Sequence, residues 1–145
     1  MRDLTGPSVK ARKDEVLRLG RTGSIGPLLE ALDDPHPAVR AEAAIAVGRL
    51  RDSGGLPGLI PALEDPEPSV RAAAIMALGM IRDPAAAQAL IHFLKDKNLE
   101  VRLGAIQVLG NLRAKIALPH LRALCTDPFL DVREAAVDAI RKIEK

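Results

Sequence analysis

The sequence predicts an all-α solenoid of about nine helices, and three observations carry that expectation. Val39-Arg40, Val70-Arg71, Val101-Arg102 and Val132-Arg133 recur every 31 residues, and Asp34, Asp65, Asp96 and Asp127 each stand six residues before the arginine. Gly48, Gly79 and Gly110 keep the same interval, as do Arg51, Arg82 and Arg113. Of the 145 residues 48% are hydrophobic but only 1% are aromatic, so the core must be built from Ala, Leu, Ile and Val. Small aliphatic cores suit closely packed helices better than sheets. A fixed period of this length is the signature of stacked units, none of which buries its apolar face alone.

A single domain, residues 1–145, divides into an N-terminal capping helix within 1–21 and hairpins at 22–52, 53–83, 84–114 and 115–145. The capping helix, about 8–20, is unpaired. Its register slips by about a residue near Val9, and polar Arg12, Lys13 and Glu15 enter core columns. In each hairpin a short first helix carries two apolar columns, Leu28, Leu59, Leu90, Leu121 and Leu32, Leu63, Leu94, Cys125. The second helix is longer. In the unit 53–83 it follows the Asp65-Pro66-Glu67-Pro68 break, and proline is tolerated in a first turn because its missing N–H has no intrahelical partner there. Val70, Ala74, Ala77, Leu78 and Ile81 then fall on one face of a 3.6-residue helix. The equivalent sets are Val39, Ala43, Ala46, Val47, Leu50; Val101, Ala105, Val108, Leu109, Leu112; and Val132, Ala136, Ala139, Ile140, Ile143. Short linkers make consecutive helices antiparallel. In the last unit Glu134, Asp138, Arg141 and Lys145 restore charge, as a capping repeat should.

An Asp-Pro turn, then Val-Arg, then an A-x-x-A-L-G-x-I stretch closing on Arg-Asp resembles the HEAT repeats, in the short variant also found in phycobilin lyase subunits. The resemblance covers about residues 22–145 and is carried in the unit 53–83 by Asp65, Val70, Arg71, Ala74, Ala77, Leu78, Gly79 and Ile81. It implies a right-handed α-solenoid with first helices convex and second helices concave, and a role in protein–protein recognition. Such repeats specify architecture more tightly than activity.

The Asp34/Arg40, Asp65/Arg71, Asp96/Arg102 and Asp127/Arg133 columns match one carboxylate to each guanidinium. A structural ladder is expected, each aspartate meeting the arginine six residues on or that of the next repeat; a basic stripe is the competing reading. Arg51, Arg82 and Arg113 end their helices, where a cation is favoured by the dipole and the free carbonyls. Mid-helix glycine costs about 1 kcal/mol relative to alanine, so Gly48, Gly79 and Gly110 imply either close helix approach or a bare concave surface. His36, His92 and His120 form no HxxH, HExxH or His-Glu pair, which argues against a metal site and against the HEAT-repeat hydroxylases, whose metal is held by such pairs. Cys125 takes a leucine's place and is expected to be buried and unreactive. No catalytic residues, metal ligands or cofactor are expected. Lysine and arginine total 21 against 19 acids, Tyr and Trp are absent, and only Lys10-Ala11-Arg12-Lys13 is locally basic. Nucleic acid is disfavoured. No apolar stretch is long enough for a signal peptide or a membrane span, and one cysteine rules out an internal disulfide, so the cytoplasm is the default.

The strip of the second helices opposite the core reads Ala41, Ile45, Arg49, then Ala72, Met76, Met80, then Leu103, Gln107, Asn111, with the glycines between. Water-facing strips are usually charged; this one is small and apolar. It is either a partner-binding surface for a helix or peptide or a strip closed on itself by curvature. The expected role is a non-catalytic scaffold, monomeric or weakly dimeric, for a protein partner. The alternative is a phycobilin lyase-like subunit or chaperone for cofactor attachment.

Overall fold

The structure, a computed structural model, describes residues 6–145; residues 1–5 of the predicted capping unit lie outside the described residues. Among them are nine α-helices and no strand: α1 (Val9–Thr22), α2 (Ile25–Ala31), α3 (Pro37–Arg49), α4 (Leu56–Ala62), α5 (Pro68–Ile81), α6 (Ala87–Ile91), α7 (Leu99–Asn111), α8 (Leu118–Ala123) and α9 (Leu130–Glu144). The first helices α2, α4, α6 and α8 are short, and 3-10 turns lead into the last three of them. Successive second helices stack on one another, α1 on α3 through to α7 on α9.

The aspartate column makes the turn before each second helix. Asp34, Asp65, Asp96 and Asp127 accept the backbone N–H two residues on, at 2.9, 3.0, 2.9 and 2.9 Å. A short carboxylate closing such a local ring is why aspartate is favoured here. Leu28, Leu59, Leu90 and Leu121 are fully buried between the two helix layers, beside Val39, Val70, Val101 and Val132. Ala44, Ile75 and Ile106 are buried as well, a column five residues after each valine that widens the predicted core face.

The glycines permit close approach. A Cβ on Gly48 would lie 2.6 Å from the Ala77 Cα, and one on Gly110 would lie 2.8 Å from the Ala139 Cα. One on Gly79 would lie 2.9 Å from Val108 Cγ2. Gly48 and Gly110 are therefore covered by the next second helix and leave the exposed strip.

Arginines 51, 82 and 113 have a backbone task that the sequence reading did not assign. Their φ angles are 54°, 62° and 55°, the left-handed conformation that ends each second helix. Glycine usually takes that place, and a side chain there costs about 1–2 kcal/mol. Gly23 does the same for α1 at φ 73°.

That glycine corrects the N-terminal register. Arg12, Gly20 and Gly23 precede Arg40, Gly48 and Arg51 by 28 residues each, a slip of three residues from the 31-residue period rather than one. The missing three are the 3-10 turn, since α2 begins two residues after Gly23 whereas α4 begins five after Arg51. α1 thus takes the place of a second helix in the stack. At its outer face Arg18 stands in the column of Ala46 and Ala77 and bonds Glu15 at 2.8 Å.

Opposite outcomes are expected from alanine at two glycines. Gly48→Ala must push backbone against backbone and should lower stability by about 1–3 kcal/mol despite better helix propensity. Gly104→Ala, whose Cβ would meet only Ile75 Cγ2 at 3.6 Å, should be neutral or stabilising by up to about 1 kcal/mol. Thermal melts distinguish the two, since about 2–4 °C accompanies each kcal/mol at this size.

Candidate functional site

Each of Arg40 and Arg71 works in two directions. Its Nη1 donates to the carbonyls of its own turn: Arg40 to Asp34 and Pro35 at 2.9 and 3.1 Å, Arg71 to Asp65 and Pro66 at 2.9 and 3.2 Å. Its Nε and Nη2 fork the carboxylate of the following repeat. Arg40 holds Asp65 at 2.8 and 3.0 Å, and Arg71 holds Asp96 at 2.9 and 3.0 Å. The aspartate therefore meets the arginine of the preceding unit, and bidentate geometry makes the pair directional.

Two ends of the ladder differ from expectation. Arg12, assigned to a basic cluster by sequence, makes the first rung by forking Asp34 at 2.8 and 3.1 Å. At the other end Arg102 bonds its own turn through the Asp96 and Lys97 carbonyls, at 2.8 and 3.2 Å, but does not fork Asp127. Its guanidinium lies over the Phe129 ring, 5.7 Å from the centroid. Phe129 stands where the other turns have His36, Glu67 and Asn98, and its ring takes the carboxylate's place as the arginine's partner. Among the described residues Arg133 bonds the Asp127 and Pro128 carbonyls, at 2.8 and 3.2 Å.

On the concave side, α5 and α7 leave a cleft of about 490 Å³ between them. Six strip residues line it: Ala72, Met76 and Met80 from α5, and Leu103, Gln107 and Asn111 from α7. Met76 is 55% exposed, so curvature does not close the groove over it. Ala41 and Ile45 on α3 are half-buried and Arg49 is exposed, and all three lie outside this cleft. Ile75, Glu100, Gly104 and Val108 also line it, four residues that the strip pattern missed. Gly104 lies one turn before Gln107, so helical spacing could have found it. At the far end Lys142 Nζ donates to Asn111 Oδ1 at 2.8 Å, and Arg82 Nη2 to the Asn111 carbonyl at 3.4 Å.

Cys125 is half-buried, a correction to its expected burial; it sits in a 3-10 turn, Leu124–Thr126, none of whose residues is buried. Its Sγ lies 3.7 Å from the Leu121 carbonyl. His36 accepts the Ala38 N–H at 3.1 Å, and His92 packs edge-on to Phe93. Among the described residues no three His, Cys, Asp or Glu side chains are grouped to hold a metal ion. Nor is any helix among them long and apolar enough to cross a membrane.

A regular stack of antiparallel hairpins with an open inner groove defines the α-solenoid repeat proteins, which present surfaces. The chain belongs to the HEAT-repeat family: the family model described as HEAT repeats matches residues 25–98 and again 56–141. No curated protein sequence matches the chain. Among solved structures it is similar to the complex of CpcE and CpcF of phycocyanin lyase from Nostoc sp. PCC7120, at 27% identity and a TM-score of 0.81, covering 97% of this chain and 62% of that one. Human deoxyhypusine hydroxylase in complex with glycerol shares the fold at 24% identity and a TM-score of 0.69, over 97% of this chain and 59% of that one. An engineered protein does so at 22% identity and a TM-score of 0.70, over 95% and 67%. The chain thus spans about three-fifths of the length of the first two. All three share the fold over nearly the whole of this chain.

The ladder predicts an acid limb of stability. Burial opposes ionisation of Asp65, but the Arg40 hydrogen bonds, the Glu67 N–H and the charges of Arg40 and Arg71 outweigh it, so its carboxyl titrates below the usual range. Asp34 and Asp96 are lowered by the same balance. A depressed folded value means stability that is present above the unfolded pKa, about 3.9, and lost as pH falls through the lower folded one. Melting temperature should therefore fall below about pH 4, and the fall should be shallower in Asp65→Asn. At neutral pH Asp65→Asn should cost about 1–3 kcal/mol. Asp127→Asn, which loses no arginine, should stay within about 0.5 kcal/mol of wild type. Equal losses in both variants would contradict the ladder.

Proposed function

We propose that this chain is a non-catalytic interaction scaffold that binds a helix or extended segment of a partner protein along the concave groove of its second helices. One observation carries the reading: the residues whose spacing turns them away from the core line an open apolar cleft, with Met76 exposed at its centre. An exposed apolar surface rimmed by amides and charges is what a docking groove requires, and methionine adapts to varied partners. Ala41, Ile45 and Arg49 extend the same surface onto α3. No cofactor enters this reading.

A second reading is favoured by the likeness to the CpcE–CpcF complex: a lyase-type subunit that assists cofactor attachment. Absorbance on mixing with a bilin and an apo-phycobiliprotein separates the two, because a plain scaffold leaves the spectrum unchanged.

Met76→Asp tests the groove. Exposure predicts a stability change within about 0.5 kcal/mol, and the folded variant should lose a partner that wild type captures from lysate and rebinds in purified form. Retention of every captured protein by the variant would remove the groove from consideration. A large drop in melting temperature would show instead that Met76 belongs to the core.

A further inference from the structure

The cleft has unlike ends. At one end Asn111 collects two cations, Lys142 on its side-chain oxygen at 2.8 Å and Arg82 on its carbonyl at 3.4 Å. At the other, Glu100 lines the cleft in the first turn of α7. Neither cation makes an ion pair among the described residues. The carboxylate beside Arg82, Asp83, accepts instead from Ser53 Oγ and the Ala85 N–H, both at 2.9 Å. Asp138, which borders the adjoining cleft with Lys142, lies 3.8 Å from Arg141. Positive charge is thus left at the Asn111 end.

Eleven residues separate Glu100 from Asn111, about 16 Å of helix at 1.5 Å per residue. α5 and α7 run in parallel and both end there, so their negative carbonyl poles would face the positive N–H pole of a third helix laid antiparallel to them, the arrangement that dipoles favour. An antiparallel occupant would bring its N-terminal turn to Arg82 and Lys142 and its C-terminal turn to Glu100. Acids are favoured in the first turn of any helix and bases in the last. The charges of the groove and the intrinsic preference of such a helix therefore agree.

Resting on the groove reading above, we infer that the partner element is an amphipathic helix of about three turns, laid antiparallel to α5 and α7. Its apolar stripe covers Met76 and Met80, its acidic first turn meets Arg82 and Lys142, and its basic last turn meets Glu100.

The probes are two fluorescent synthetic helices with one leucine stripe and a lysine last turn. One has glutamates in its first turn, the other glutamines. Anisotropy titration against the full chain should give the glutamate peptide an affinity about ten-fold higher at low salt, a gap that shrinks as salt is raised. In Arg82→Gln/Lys142→Gln, whose two sites are exposed, the gap should close while the glutamine peptide binds as to wild type. Met76→Asp should weaken both peptides alike. Equal binding of the two peptides to wild type, or a gap that survives the double substitution, overturns the assigned polarity while leaving the groove in place. Failure of both peptides to bind, or indifference of both to Met76→Asp, overturns the groove and the polarity together.

Discussion

How closely successive second helices approach governs this molecule. At Gly48 and Gly110 the contact is backbone on backbone, with the next helix where a side chain would stand. Successive first helices approach one another less closely than successive second helices do. A stack that is tight on one layer and loose on the other must curve, with the tight layer inside. The concave placement of the second helices follows from one missing Cβ per repeat. The same contact hides the glycines and leaves methionine, leucine and glutamine along the inner surface.

Glycine sets the distance between neighbours, and arginine sets their register. One guanidinium reads two carbonyls of its own turn and a carboxylate of the next, so a slide of one hairpin along another would break both bonds of the fork at once. A surface ion pair contributes little. These pairs are half-buried and bidentate, and the arginine is already oriented by its own turn, so less side-chain entropy is lost in pairing. At the C-terminal joint Phe129 replaces the carboxylate, and the last hairpin is held by packing and an aromatic contact.

The period made the four hairpins, their helical faces and their turns legible before any coordinates. Three features were hidden for distinct physical reasons. Arg12, Gly20 and Gly23 belong to the array but sit three residues out of phase, and a search at fixed period steps past them. The direction of the Asp65–Arg40 pair could not be read, because the repeat offers Asp65, Asp96 and Asp127 each one arginine six residues on and another 25 residues back, and spacing alone does not say which lies nearer in space. The left-handed backbone at Arg51, Arg82 and Arg113 carries no compositional mark, since arginine is also the favoured cation at a helix end. For the groove, spacing pointed to Met76, Met80, Leu103 and Gln107. That Lys142 and Arg82 converge on Asn111 depends on how neighbouring helices stack, which one helix's pattern does not contain.

The two kinds of joint in the array are tethered unequally. From aspartate to arginine the distance is six residues in all four turns, and three or more hydrogen bonds depend on that number. From the left-handed residue to the next first helix it is two residues in one joint and five in the other three. A single φ angle, a short 3-10 turn and isolated bonds such as Ser53 Oγ to Asp83 are at stake there, with no arginine fork. Length variation is therefore segregated to one edge of the solenoid. An insertion or deletion at that edge is absorbed as a longer or shorter loop, while the same change at the aspartate edge would unfasten two repeats.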